Sequence, residues 1–394
     1  MSKPIRVLHV LNCMNRGGAE MRTMEMFRHL DRQRYQFDFC ALSGRQGEFD
    51  DEIRSLGGRV HLLRRNLVDF PGRFRALLKE EQYDAVHSQV FYYSGVILRL
   101  AAQCDVPVRV AQLHNTHDGR QNGPGRKFVC WMMRCWIDAH ATHILGVSEG
   151  VLDSVWKRQW RSDPRCRVVY NGVETSPFDR PADRRGVRNE FDLPSDTPLC
   201  VHVGRFLPQK NHLRLVSIFA QLLQERPHAR LLLVGGAGDE LEQDVRRRVA
   251  ELGIAERVIF AGQRDDVPRL LTAADVFLFP SRWEGLPGVV QEACLAGVPV
   301  IATDLPGVRE IADRLSGVRM LSLEADDRQW AEAAAPLLAT RRSLASRAEA
   351  WRTFAASEFT IDRCARTNCR IWEGLPPEAE IIEMPPAQRK DKAA

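Results

Sequence analysis

The sequence predicts an α/β protein built as two doubly wound, Rossmann-like domains facing each other across a cleft. Three observations lead there. Short runs of Val, Ile, Leu and Phe alternate with longer stretches of helical period, as expected for parallel strands buried on both faces and joined by crossover helices. The alternation stops at Asn171–Thr197, where Asn171-Gly172, Pro177, Pro181 and Pro194 sit among Arg and Asp, and then begins again. Polar, glycine-bearing segments follow several of the strands, at the carboxyl ends where such sheets bind ligands.

The elements follow in order. Arg6–Leu11, Phe37–Leu42, Arg59–Leu63, Ala85–His87, Val108–Leu113, His143–Val147 and Arg167–Tyr170 read as strands of the first domain. Leu199–Val203, Arg230–Val234, Arg257–Ala261, Val276–Phe279, Val298–Ala302 and Gly317–Leu323 read as strands of the second. Between them lie amphipathic helices, such as Leu215, Ile218, Phe219, Leu222 and Leu223 at i, i+3, i+4, i+7, i+8 spacing, closed by Pro227. The domain reading is 1–172, a linker over 173–196, and 197–352. A C-terminal helix over 353–375 is expected to pack back on the first domain, and 376–394 is expected to be a disordered tail.

With 394 residues, 44% hydrophobic and 27% charged, the chain suits two or three compact units. Gly 27 and Pro 21 exclude collagen-like and wholly disordered classes. No apolar run approaches the ~20 residues of a membrane-spanning helix. The opening stretch, broken by Arg6 and His9, reads as a strand and not as a secretion signal. The ten cysteines form no C-x-x-C pair or zinc-ligand spacing, which suits a reducing cytoplasm. Residues 1–188 carry 30 Lys+Arg against 21 Asp+Glu, and the remainder 26 against 30. That asymmetry fits an anionic partner, nucleic acid or a bilayer, and equally an ordinary arginine-rich surface.

Two loops carry the chemistry. Val203-Gly204-Arg205-Phe206-Leu207-Pro208-Gln209-Lys210-Asn211 follows an apolar strand and precedes a helix. It brings two cations and a helix amino terminus to one place, which suits a diphosphate, although a solvated basic loop would read the same way. The second is Ser281-Arg282-Trp283-Glu284-Gly285-Leu286-Pro287-Gly288-Val289-Val290-Gln291-Glu292, after the strand Val276–Phe279. Glu284 falls on the loop, and Glu292 a turn into the next helix, where the positive helix end keeps a carboxylate ionised. Such a carboxylate accepts two hydroxyl hydrogen bonds, as from a sugar diol, or serves only as a helix-dipole partner.

These motifs resemble glycosyltransferase family 4, retaining enzymes of the GT-B architecture. The resemblance rests on the Glu284-x7-Glu292 pair, the Gly204-Arg205-x4-Lys210-Asn211 loop and the Thr303-Asp304-x-Pro306-Gly307 turn. It extends to Arg16-Gly17-Gly18-Ala19-Glu20 and Tyr170-Asn171-Gly172-Val173. Ala111-Gln112-Leu113-His114-Asn115 and Leu321-Ser322-Leu323 are similar to the exopolysaccharide and capsule branch.

The resemblance implies that Arg205 and Lys210, beside Gly204, grip the donor diphosphate, with the N–H groups of Gly17 and Gly18 closing from the other domain. Glu292 would hold the nucleotide ribose. Glu284, with the backbone of Gly285, Leu286 and Val289, would hold the donor sugar, though Pro287 lacks an N–H. The loop Gly262-Gln263-Arg264-Asp265 corresponds to the nucleobase contact. Pro306 stands where the family often has glycine. The implied reaction moves a hexose from a UDP-sugar to a lipid-linked or oligosaccharide acceptor in surface polysaccharide biosynthesis. The chain contains no Asp-x-Asp, the usual metal-holding motif of such enzymes, so no metal or other cofactor is expected and the two cations should suffice.

His114 ends a strand before Asn115-Thr116-His117-Asp118-Gly119 and either faces the sugar or incoming hydroxyl or caps the loop. His87 and His117 leave the same choice open, and His9 reads as structural. Gly125–Trp136 and Val155–Arg161 mix cations with Trp and Met at helical spacing. Each reads as a face for an anionic bilayer at the inner side of the cell membrane, or as a core-facing stripe with a solvated edge. A nucleotide-sugar 2-epimerase and a non-catalytic nucleotide-sugar sensor or assembly subunit are the alternatives in function. A nucleic-acid partner leaves the second domain unexplained.

Overall fold

The computed structural model describes residues 3–66, 68–117, 123–236, 240–339 and 344–376. Asp118-Gly119 and the tail beyond Pro376 lie outside the described residues. The first sheet contains β1 (Ile5–Leu11), β2 (Tyr35–Ala41), β3 (Arg59–Leu62), β4 (Ala85–Ser88), β5 (Val108–Leu113), β6 (His143–Gly146) and β7 (Cys166–Val168). The second contains β8 (Leu199–Val203), β9 (Arg230–Val234), β10 (Val258–Gly262), β11 (Val276–Phe279), β12 (Val300–Thr303) and β13 (Val318–Leu321). The orders are β3-β2-β1-β4-β5-β6-β7 and β10-β9-β8-β11-β12-β13. Neighbouring strands run parallel, as in Ile5 opposite Tyr35 and Phe277 opposite Val300.

The central strands are apolar at nearly every position because helices cover both faces. Val7, Leu8 and Val10 of β1 and all four side chains of β11 are fully buried. Strand order reverses between β1 and β4 and again between β8 and β11. The loops carrying Gly17, Arg205 and Glu284 therefore leave the sheets at or beside the two switch points, where adjacent crossovers diverge to opposite faces and leave a crevice.

The 173–196 segment joins the two sheets and carries ordered structure of its own. It holds the helix Arg184–Glu190, whose Asp183 cap accepts the Gly186 N–H at 2.9 Å. The helix is anchored by the buried Val187 together with a charge. Arg188 is fully buried, reaching Asp275 Oδ2 at 2.9 Å and the Thr197 carbonyl at 2.9 Å.

The chain also returns to the first domain. Val173 N–H donates to the Phe359 carbonyl at 2.8 Å, and Ile361 N–H to the Val173 carbonyl at 3.1 Å. The helix Ile361–Trp372 then buries Ile361, Cys364, Ile371 and Trp372 among first-domain residues. Trp372 stands edge-on to Phe37, with ring centres 5.1 Å apart, and its indole N–H donates to His87 Nδ1 at 3.2 Å. All ten cysteines are free thiols. No helix among the described residues is long and apolar enough to cross a membrane.

Candidate functional site

The loop after β8 is laced to the loop after β11. Pro208–Lys210 form a tight turn, and Asn211 adopts the left-handed conformation (φ 58°) that starts the helix His212–Glu225. Asn211 Nδ2 donates to the Pro280 carbonyl at 3.1 Å, Arg282 N–H to the Gln209 carbonyl at 2.8 Å, and Gln209 Nε2 to the Trp283 carbonyl at 2.8 Å. This lacing aims Lys210 at Glu284. Its ammonium donates to Glu284 Oε1 at 2.7 Å and stands 4.9 Å from the centre of the Phe279 ring.

Arg205, from the same loop, points across the cleft. Its Nη2 comes within 3.5 Å of where a Gly17 side chain would begin, and it faces Glu20. Burial raises the Glu20 carboxyl above its usual range, against the opposing pull of a backbone hydrogen bond and of Arg205. The Gly17 N–H is already given to the Asn15 carbonyl at 2.8 Å, whereas Gly18 is exposed at the first position of the helix Gly18–His29.

Glu292 lies on the short helix Gly288–Leu295 and pairs with Arg22, which comes from the helix Gly18–His29 of the other domain. Arg22 also holds Glu25 at 2.5 Å. Burial opposes its charge, but the two carboxylates outweigh burial and hold the guanidinium above its ordinary range.

The loop after Glu284 is clamped from both sides. A side chain at Gly285 would collide with the His114 carbonyl, and one at Gly307 with the Gly285 carbonyl, so two glycines allow three segments to meet. Thr116 Oγ1 donates to the Glu284 carbonyl at 3.3 Å, and Ser148 Oγ to the Gly285 carbonyl at 3.2 Å. Pro306 occupies the first position of the helix Pro306–Ala312 and packs against Gly150. One turn on, Glu310 accepts the backbone N–H groups of Glu149 at 3.0 Å and Gly150 at 2.9 Å.

Two family models match the chain. The one described as Glycosyltransferase Family 4 covers residues 16–177, and the one described as Glycosyl transferases group 1 covers residues 197–340. The putative glycosyltransferase EpsF of Bacillus subtilis is 31% identical over 348 residues, 86% of this chain and 88% of that one. The chain belongs to glycosyltransferase family 4.

This glycosyltransferase is also 29% identical to the capsular polysaccharide biosynthesis glycosyltransferase CapH of Staphylococcus aureus, over 86% of this chain and 92% of the relative. It is 26% identical to an Escherichia coli UDP-Gal:α-D-GlcNAc-diphosphoundecaprenol α-1,3-galactosyltransferase, over 77% of this chain and 80% of the relative. The fold is that of HepE from Anabaena, solved in complex with UDP, with a TM-score of 0.76 at 18% identity. That alignment covers 94% of this chain and 100% of HepE.

Not every candidate side chain of the glycosyltransferase reaches the cleft. The Arg264 guanidinium is committed to Asp266 at 2.8 Å and Glu190 at 2.7 Å, within an ion-pair group that includes Arg269. Its neighbours cross instead: Gln263 Nε2 donates to Glu48 Oε2 at 2.6 Å, and Asp265 pairs with Arg16. Leu286 is buried and Val289 half-buried.

His114 sits at the end of β5, half-buried, and burial lowers its pKa to about 4, so the imidazole is neutral at pH 7. His9 and His87 are structural: both are fully buried, stacked with ring centres 5.1 Å apart beneath Trp372. His117 is exposed, with its ring 5.7 Å from that of Trp283.

The two basic stretches part company. Trp156 and Trp160 are buried in the first-domain core. The helix Pro124–His140 packs its Met133 backbone against Gly95 and turns Phe128, Val129 and Trp131 to solvent, 62%, 41% and 60% exposed.

Arg22 and Glu310 were not singled out by sequence reasoning, and Gln263 only as part of the loop assigned to the nucleobase. Each acts across the cleft, and no local pattern marks such a partner. Among the described residues no group of three or more His, Cys, Asp or Glu is placed to hold a metal.

Proposed function

We propose that this glycosyltransferase moves a hexose from a UDP-sugar to a lipid-linked glycan acceptor in surface polysaccharide biosynthesis, with retention of configuration and without a metal ion. The observation that carries this reading is the convergence of Arg205, Lys210, Glu284 and Glu292 on the cleft face of the second domain, opposite Gly17, Gly18 and His114. The names of CapH, of the E. coli galactosyltransferase and of the HepE–UDP complex supply the substrate classes.

In this reading the diphosphate lies between Arg205 and Lys210. The bond from the anomeric carbon to the diphosphate oxygen breaks, and the negative charge gained by that oxygen meets cations already in place. Each cation would contribute about 10²–10³ in rate. Glu284 and the Gly285 backbone hold the sugar hydroxyls, and Glu292 holds the ribose. The acceptor hydroxyl attacks from the face the diphosphate leaves, and its proton passes to the departing phosphate oxygen. His114, neutral at pH 7, hydrogen-bonds a sugar hydroxyl as donor or acceptor.

The acceptor would approach over the first domain. Exposed Phe128, Val129 and Trp131, beside Lys127, form a face that suits an anionic bilayer at the inner side of the cell membrane. Cosedimentation with phosphatidylglycerol vesicles should fall when Phe128 and Trp131 are replaced by Ser.

Thermal shifts with UDP-, GDP- and ADP-hexoses test the donor. A UDP-hexose should raise the melting temperature most, because only the folded chain binds it. No shift with any nucleotide sugar would contradict the reading.

A further inference from the structure

Arg22 stands out among the buried charges because its partners lie on two domains. Its side chain is only 9% exposed, and it makes paired contacts with Glu25 of its own helix and with Glu292 of the second domain. The guanidinium also lies against Gly288, the first residue of the helix that carries Glu292. A side chain beginning at Gly288 would come within 2.7 Å of Arg22 Nη2 and 2.9 Å of Nε. Arg22 is thus seated on the opposite domain at the root of the Glu292 helix, and Glu25 fixes it from behind.

Arg22 engages Glu292 through Oε1. A carboxylate has capacity for about four hydrogen bonds, so Oε2 stays available for a diol. A guanidinium is planar and permanently charged, so it can hold a carboxylate in one orientation where a flexible ammonium cannot.

We propose that Arg22 is a positioning residue for the nucleotide: by fixing Glu292 from across the cleft, it makes ribose recognition a property of the two domains together. The inference rests on the reading of Glu292 as the ribose carboxylate and adds its missing partner. Closure and ribose binding then favour each other, since each orients the same carboxylate. Through Arg22 the first domain contributes to ribose binding by way of Glu292.

A pair of nucleotides tests this in the full-length protein. UDP carries the ribose diol and 2′,3′-dideoxy-UDP does not, while both present the same diphosphate to Arg205 and Lys210. The wild-type protein should bind UDP roughly tenfold more tightly than the dideoxy nucleotide by calorimetry. Glu292→Gln should erase that preference. Arg22→Ala should erase most of it too, while its affinity for dideoxy-UDP stays near the wild-type value. Arg22→Lys keeps a cation between Glu25 and Glu292, which guards against misfolding of the Ala variant, and should give an intermediate preference.

A purely structural role for Arg22 would lower the melting temperature and weaken both nucleotides alike, which would overturn the proposal. So would tighter UDP binding in Arg22→Ala, the mark of a side chain that merely occupies the site. If Glu292→Gln loses the diol preference while both Arg22 variants keep it, this inference fails alone. If Glu292→Gln keeps the preference, or the wild-type protein binds neither nucleotide, the reading of the donor site fails with it.

Discussion

Lys210 and Glu284 form a direct ion pair, 2.7 Å from Nζ to Oε1, with both side chains largely buried. They come from loops after β8 and β11, the neighbouring strands at which the second sheet changes direction. The pair neutralises two groups that a dry cleft would otherwise leave charged and alone. It also places the cation proposed for the diphosphate beside the carboxylate proposed for the sugar, as a substrate spanning that bond requires.

The pair separates structure from chemistry. Lys210→Ala should lower the melting temperature by leaving Glu284 unpaired, and should reduce kcat by about 10²–10³. Adding Glu284→Gln should recover part of the melting temperature and none of the rate. Recovery of turnover in the double variant would show that Lys210 matters only as a partner for Glu284.

Closure of the cleft should depend on Glu310. Its carboxylate accepts two backbone N–H groups at the start of the helix Glu149–Val155, a contact made wholly between domains. Glu310→Ala should enlarge the radius of gyration measured by small-angle scattering and raise KM for the donor, with little change in the far-ultraviolet spectrum. Unchanged scattering would mean that the contacts of Gly285 with His114 and of Gly150 with Pro306 suffice to keep the domains together.

Acid should destabilise the first domain through its buried histidines. Burial lowers His87 to about 3 and His114 to about 4, against 6.5 for the free side chain. Above pH 6.5 both are neutral folded or unfolded, so stability is insensitive to their titration. Between pH 6.5 and about 4 the unfolded chain binds protons that the folded chain refuses, so stability falls as pH falls. Each histidine contributes a slope of about 1.4 kcal/mol per pH unit. Urea unfolding of His87→Gln should show a slope shallower by about that amount between pH 6 and 4.

The returning helix should be needed for first-domain stability. Trp372 is buried among Phe37, His9 and His87 and makes a hydrogen bond there. Trp372→Ala should cost about 3–5 kcal/mol by chemical denaturation. A loss below 1 kcal/mol would place the helix outside the cooperative unit.

The sheets were legible because their strands are buried on both faces. The runs Val108–Leu113, Leu199–Val203, Arg230–Val234 and Val276–Phe279 reappear unchanged as β5, β8, β9 and β11, and the remaining strands differ by a residue or two at their ends. The loops of Arg205, Lys210 and Glu284 were legible because glycine, proline and charge interrupt that apolar text directly after a strand.

The helix Arg184–Glu190 was not, since its charged anchor is a buried arginine whose partner, Asp275, is far along the chain. Arg264 shows the same difficulty. The resemblance assigns its loop to the nucleobase, while its guanidinium pairs with Asp266, two residues on, and with Glu190, which only the folded chain brings near. Arg22 and Glu310 belong to the same class, as charges whose meaning depends on the opposite domain.

Donor turnover in excess chelator tests the central claim most directly. With EDTA present, the wild-type protein should cleave its UDP-hexose at the rate seen without it, and Lys210→Ala and Arg205→Ala should each be slower by about 10²–10³. Turnover that vanishes with EDTA and returns with Mg²⁺ or Mn²⁺, or that survives loss of both cations, would contradict it.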